Sequence, residues 1–204
     1  KEKYQEMRKY EKKKLADGYD VICGIDEAGR GPLAGPVVAG AVILGTDTYI
    51  PGLDDSKKLS EKKREELFDI IYQKAEVVGV GIVDQDRIDE INILQATYEA
   101  MTEAVDDLGV QPNYLLIDSE TIPQVDIPQA GIEKGDSQSV SIAAASIIAK
   151  VTRDRMLVEY DEQYPEYGFA GHKGYGTKSH RQALEKFGPC DIHRKSYQIV
   201  QKHM

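Results

Sequence analysis

Val21-Ile22-Cys23-Gly24-Ile25-Asp26-Glu27-Ala28 runs into the turn Gly29-Arg30-Gly31-Pro32, and a second apolar run follows from Val37 to Leu44. Two short apolar runs separated by a Gly/Pro-rich turn read as adjacent β-strands. The first ends on consecutive carboxylates, Asp26 and Glu27. At a strand end buried by its neighbours, ionised groups must be paired, solvated or bound to metal. A Gly/Pro-rich turn by itself signifies only a turn. Directly behind two carboxylates it lets backbone N–H groups approach a ligand, and Arg30 can bind a phosphate or ribose. A dinucleotide-binding turn is excluded, because G-x-G-x-x-G is missing and a strand, not a helix, follows.

Outward from this stretch, Ser60-Glu61 opens a charged helix with Leu67, Phe68, Ile70 and Ile71 on its apolar side, ending near Ala75. Glu76 to Val83 predicts a third strand. Asp84 to Leu108 predicts one long amphipathic helix stopped by Gly109. Asn113 to Asp118 is a compact buried-strand signal that again ends on a carboxylate, and a short strand is expected near Ala130 to Glu133. From Ser137 to about Tyr160 the chain reads as a helix whose Ala143, Ala144, Ala145 and Ala149 permit close approach to a sheet. Further helices are expected over Thr177 to Phe187 and Ser196 to Lys202. Lys1 to Ala16, charged at nearly every position, reads as a solvated helix or frayed arm outside the core. Strands interspersed with helices, then a helical C-terminal portion, define an α/β fold.

The chain has 204 residues, 41% hydrophobic and 30% charged, which suits an ordinary globular protein rather than a disordered or fibrous one. No run approaches the ~18 apolar residues of a membrane span, and the charged opening is expected to be neither a span nor a secretory signal. Two distant cysteines, Cys23 and Cys190, suggest no disulfide framework and no Cys-based zinc pattern. A reducing, cytoplasmic compartment is expected. The net charge is -9, yet its distribution matters more to a polyanion than its total. From Gly168 to Met204 basic residues dominate, whereas Asp84 to Asp107 is strongly acidic.

Taken singly, Asp118 reads as a turn former and Asp136, before the Ala-rich helix, as an N-cap. If the strands bearing Asp26 and Asp118 are neighbours, those two converge with Glu27 and Asp136 at one sheet edge. Four such charges repel one another unless divalent cations neutralise them, and hard oxygen ligands without clustered Cys or His select Mg²⁺ or Mn²⁺. Such a site suits two-metal phosphoryl transfer. Three stretches look equipped to hold a polyanion: Asp54 to Ser60, with Lys57 and Lys58 beside a helix start; Ser137, Ser139 and Ser141 at another helix N-terminus; and His172-Lys173-Gly174-Tyr175-Gly176-Thr177-Lys178. Capping or surface solvation are the plainer roles for the serines and lysines. An exposed Tyr175 ring could stack on a sugar or base.

Together, Gly24-Ile25-Asp26-Glu27-Ala28-Gly29-Arg30-Gly31, Asp55-Ser56-Lys57-Lys58-Leu59, Asn92-Ile93-Leu94, Leu116-Ile117-Asp118, Lys134-Gly135-Asp136-Ser137, the run Ser141 to Asp154 and His172-Lys173-Gly174-Tyr175 resemble bacterial ribonuclease HII, the type 2 ribonuclease H. The resemblance spans about Val21 to Tyr197. It implies a ribonuclease H-like mixed β-sheet flanked by helices, and hydrolysis of the RNA strand of RNA/DNA hybrids. It also implies incision 5′ of single ribonucleotides in duplex DNA. By motif, Asp26, Glu27, Asp118 and Asp136 match the family's metal-binding carboxylates, Gly29, Arg30 and Gly31 its element sensing the 2′-hydroxyl, and Tyr175 its junction-reading tyrosine. Ser119-Glu120 departs from the Gly-Asn of many members. The corresponding organisation is an arm over 1–17, a catalytic core over 18–160 and a basic substrate-binding portion over 161–204.

The implied mechanism has Asp26 and Asp118 sharing two ions, with Glu27 and Asp136 completing the set, and yields 3′-hydroxyl and 5′-phosphate ends. The substrate side is expected to use Lys57, Lys58, Ser137, Ser139 and Lys173 beside Tyr175 and the glycine-arginine-glycine turn, with the chain acting as a monomer. Two rival readings are a metal-independent ribonuclease using His172, His180 and His193, and a non-catalytic binder of hybrid duplexes.

Overall fold

A computed structural model describes residues 1–204. Five strands, β1 (Ile22–Ala28), β2 (Val37–Ile43), β3 (Val77–Val83), β4 (Tyr114–Asp118) and β5 (Gln129–Ile132), form one sheet of order β3-β2-β1-β4-β5. The first three strands are antiparallel neighbours, while β4 joins β1 and β5 joins β4 in parallel. The sheet is therefore mixed, and helices flank it as the sequence predicts. They are α1 (Glu2–Met7), α2 (Lys9–Ala16), α3 (Glu61–Lys74), α4 (Gln85–Asp107), α5 (Val140–Gln163), α6 (Phe169–His172), α7 (Lys178–Phe187) and α8 (Gln198–Gln201). None is long and apolar enough to cross a membrane.

Glycines set how closely the helices sit. A side chain at Gly24 or Gly40 would strike the backbone of α5 at Ser141 or Ala145. On the opposite face, one at Gly79 or Gly81 would strike α4 at Ala104 or Ala100. Successive strand residues face opposite ways, so the spacing of two between Gly79 and Gly81 opens one continuous groove for a helix. The alanines of α5 complete the fit: Ala143, Ala144, Ala145 and Ala149 are fully buried. The start of α5 is thereby pressed against β1, next to Asp26.

Three expectations change. The arm is docked rather than solvated: Tyr4 and Met7 are buried with Val42, Leu67 and Ile147, and Glu11 is buried too. Its charges disguise a short apolar stripe. The helix expected over Asp84 to Leu108 breaks at Asn92, where φ is +70°. Asn tolerates positive φ better than most residues, and its Oδ1 accepts from the N–H groups of Leu94 and Gln95 at 3.0 and 3.1 Å, capping the second segment. Finally, α5 starts at Val140; residues 135–137 form a separate 3₁₀ turn that carries Asp136.

Candidate active site

Parallel pairing sets Ile25 beside Ile117, and the next step along both strands puts Asp26 at the same sheet edge as Asp118. Asp26 shares a face with Gly24 and so points toward α5. Asp136 arrives from the turn before that helix. The Gly135 N–H donates to Asp118 Oδ1 at 2.7 Å, fastening this turn to the end of β4. The strand ends, the turn and the helix start thus converge, the arrangement that places ligands at the carboxyl edge of parallel strands.

Asp26 and Asp136 are 5% and 4% exposed, deep for groups meant to be ionised. Burial pushes the Asp26 carboxyl well above its ordinary pKa, and the charges of Glu27, Asp118 and Asp136 add to this. Glu27 is also raised by burial, against the opposing pull of Arg30, whose Nη1 lies 3.6 Å from Glu27 Oε1. Asp136 is pushed up to about 6 by burial, then by Asp118 and Asp55. Lys57 Nζ stands 3.6 Å from Asp136 Oδ2, but its side chain is 78% exposed and screens little. Burial alone would lower the pKa of Lys57; Asp136 and Asp26 outweigh it and raise it.

A cleft of about 190 Å³ unites Asp26 and Glu27 with Gly29, Arg30, Gly31, Lys57 and Tyr175. Tyr175 is exposed, with Lys150 Nζ 5.9 Å from its ring centroid. Other expected contacts lie outside the cleft lining. Lys58 turns to Asp55 at 3.7 Å, and the Ser137 hydroxyl donates to Lys134 O at 2.9 Å. The Lys173 ammonium folds back onto the Ala170 carbonyl. Ser139 needs a correction: it is fully buried, so it caps α5 through Ile142 N–H and cannot meet a duplex. Its hydroxyl donates to Glu11 Oε1 at 2.6 Å.

Sequence reading passed over Asp55, Ser146 and Lys150. Asp55 acts on Asp136, and the other two line the cleft four residues apart on α5; that i, i+4 spacing was the available signal. After Asp118, Ser119 adopts φ +68°, a conformation glycine takes more readily. Glu120 turns aside to accept from the Tyr98 hydroxyl at 3.0 Å.

The histidines form a different assembly. His180 and His193 are fully buried. His193 Nδ1 accepts from Cys190 N–H at 2.9 Å, so its Nε2 donates to His180 Nε2 at 2.9 Å, and His180 Nδ1 donates to Tyr175 O at 2.9 Å. His172 stacks on His180 with ring centroids 4.3 Å apart. Burial pulls the pKa of both His180 and His193 down to about 4. Neutral and fully hydrogen-bonded, they support the tyrosine loop rather than provide an acid and base pair.

The carboxylates suit a hard divalent cation: every donor is an oxygen, and burial leaves their charges poorly compensated. No three His, Cys, Asp or Glu groups stand close enough to make a closed ligand cage. The four carboxylates nevertheless act on one another through space, and a divalent cation would relieve that repulsion.

The ribonuclease HII family model matches residues 23–200. Ribonuclease HII of Acetivibrio thermocellus is 61% identical over 195 residues, covering 96% of this chain and 76% of that protein. Among solved structures, ribonuclease H2 from Pyrococcus horikoshii superposes with a TM-score of 0.74 at 27% identity, over 89% of this chain and 96% of that one. The ribonuclease HII of Archaeoglobus fulgidus, solved in complex with PCNA, gives a TM-score of 0.75 at 28% identity with the same coverage. With its mixed sheet, its converging carboxylates and these relatives, the chain belongs to the ribonuclease HII family.

Proposed function

We propose that this ribonuclease H incises duplex DNA on the 5′ side of an embedded ribonucleotide as well as cutting the RNA strand of RNA/DNA hybrids, with Asp26, Glu27, Asp118 and Asp136 holding two Mg²⁺ or Mn²⁺ ions. The observation that carries the reading is one cleft in which Asp26 and Glu27 adjoin Gly29, Arg30, Gly31 and Tyr175. Bound there, the ions would supply a water of lowered pKa and neutralise charge on the leaving oxygen. The chain's own groups do the rest. Arg30 and Lys57 offer cationic donors to phosphate. Tyr175 presents an exposed ring against which a sugar or base can stack. The turn at Gly29 to Gly31 brings backbone donors to the ribose, and a site built to hydrogen-bond a hydroxyl rejects a substrate that lacks it.

The test is cleavage of an end-labelled DNA duplex containing one ribonucleotide, with Mg²⁺, Mn²⁺ or EDTA, beside an all-DNA duplex and the Asp26→Asn variant. The expected result is metal-dependent cutting 5′ of the ribonucleotide that leaves a 3′-hydroxyl and disappears in the variant. Cutting that survives EDTA and leaves a cyclic phosphate would overturn the reading. So would duplex binding with no cutting under any metal.

A further inference from the structure

Two buried guanidiniums stand behind the cleft, and no element of the chemistry above uses them. Arg194 is fully buried and Arg153 is 1% exposed. Their acceptors are backbone carbonyls and one tyrosine hydroxyl. Arg194 donates to Gly29 O at 2.5 Å, Arg30 O at 3.0 Å, Gly35 O at 3.0 Å and Pro36 O at 3.2 Å. It also donates to the Tyr197 hydroxyl at 3.0 Å, which in turn donates to Arg30 O at 3.0 Å. Arg153 donates to Pro36 O, Ala34 O and Lys173 O at 2.8, 2.9 and 2.8 Å. The turn from Gly29 to Pro36 thus hangs on two cations, and Arg153 ties it to the loop that presents Tyr175. Gly29 is required here, since a side chain would collide with Arg153 and its φ is +98°.

Burying charge without an opposite charge is costly, and neutral groups could brace a turn at lower cost. Orientation explains the choice. In a trans peptide the C=O and N–H point opposite ways. Carbonyls of Gly29 and Arg30 drawn inward onto Arg194 therefore turn the N–H groups of Arg30 and Gly31 away from it. Neither N–H donates to another backbone carbonyl, and both residues line the cleft.

We propose that Arg194, assisted by Arg153 and Tyr197, is the positioning residue for ribose selection: it aims the Arg30 and Gly31 N–H groups at the 2′-hydroxyl and fixes their spacing from Tyr175. This rests on the ribonucleotide reading above. The test measures affinity by fluorescence anisotropy in EDTA, where hydrolysis stops, for a duplex with one ribonucleotide and for the all-DNA duplex of the same sequence. The wild type prefers the ribonucleotide. Tyr197→Phe removes one hydroxyl at a half-buried position and lowers that preference about fivefold, the usual effect of one hydrogen bond, while all-DNA affinity stays within about twofold. Arg194→Lys abolishes the preference; if that variant fails to fold, Tyr197→Phe decides. A general loss of structure would weaken both duplexes together, which overturns the proposal. A wild-type preference kept in full by Tyr197→Phe and by any folded Arg194→Lys overturns it alone, whereas a wild type without preference here overturns the proposal, and one that also cuts ribonucleotide-containing and all-DNA duplexes alike with Mg²⁺ or Mn²⁺ overturns the ribonucleotide reading as well.

Discussion

Asp136, proposed to hold a metal ion, is placed at the expense of the fold. Burial, then Asp118 and Asp55, hold its pKa at about 6. A carboxyl that is a weaker acid in the folded state than in the unfolded one takes up a proton on folding between the two values, so stability falls as pH rises through that interval. Here the interval runs from the ordinary aspartate value of 3.8 up to about 6. Asp136→Asn is therefore expected to raise Tm in EDTA at about pH 7.5, to leave it nearly unchanged below about pH 4, and to lose cleavage. Thermal melts across pH check this; a variant less stable than wild type at about pH 7.5 would refute the assigned repulsion. Saturating Mg²⁺ or Mn²⁺ should reverse the sign by stabilising the wild type alone.

Among the elements, the arm and α5 depend on each other. Glu11 on α2 accepts from the Ser139 hydroxyl and, at 3.1 Å, from Ser141 N–H, a backbone donor in the first turn of α5 that has no partner within the helix. A carboxylate there also meets the positive end of the helix dipole. Because Asp136 lies just before this start, the arm steadies a site carboxylate from far away in sequence. Deleting residues 1–16 uncovers the core that Tyr4 and Met7 cover and removes the Glu11 acceptor from the start of α5. Burial of two such side chains is worth ~4 kcal/mol in all, so Tm should fall by on the order of 10 °C. Hydrogen exchange should rise at the amides of Ser141 and Ile142 before it rises in β1. A truncation that melts like the full chain would show that the arm contributes no packing.

At the scale of the molecule, charge is segregated. The overall charge is -9, yet Lys178 and Arg181 outnumber the one acidic residue, Glu185, in an open groove of about 430 Å³ that Gly176, next to Tyr175, also lines. Phosphate contacts there would supply affinity without sequence or sugar preference. The double variant Lys178→Glu, Arg181→Glu is expected to weaken binding to ribonucleotide-containing and all-DNA duplexes alike. It should also lower the slope of log affinity against log salt by about two. An unchanged slope would remove this groove from the interface. The contrast with Arg194 and Tyr197 is direct, because there the preference between duplexes is expected to change and the salt slope is not.

Strands, most helices and the four carboxylates were legible in the chain because their signals are local: apolar runs of strand length, helical periodicity, and an acidic residue at the end of a strand. The convergence of Asp26 with Asp118 needed only the assumption that their strands are neighbours, which parallel pairing satisfies. What local pattern does not carry is which polar groups end up inside. Ser139 looked like a phosphate donor and is a buried cap; Glu11 and the arm looked solvated and are packed; the histidines looked like candidate acids and bases, yet His180 and His193 are buried and hydrogen-bonded to each other. No local signal marked Arg153 or Arg194 for burial, since their acceptors are carbonyls, and every residue has one. By itself the sequence determined the layering of the fold and the gathering of acidic residues at one sheet edge. Only the tertiary structure decided the roles of the buried polar groups, because the cost of burying a charge depends on partners brought in from distant parts of the chain.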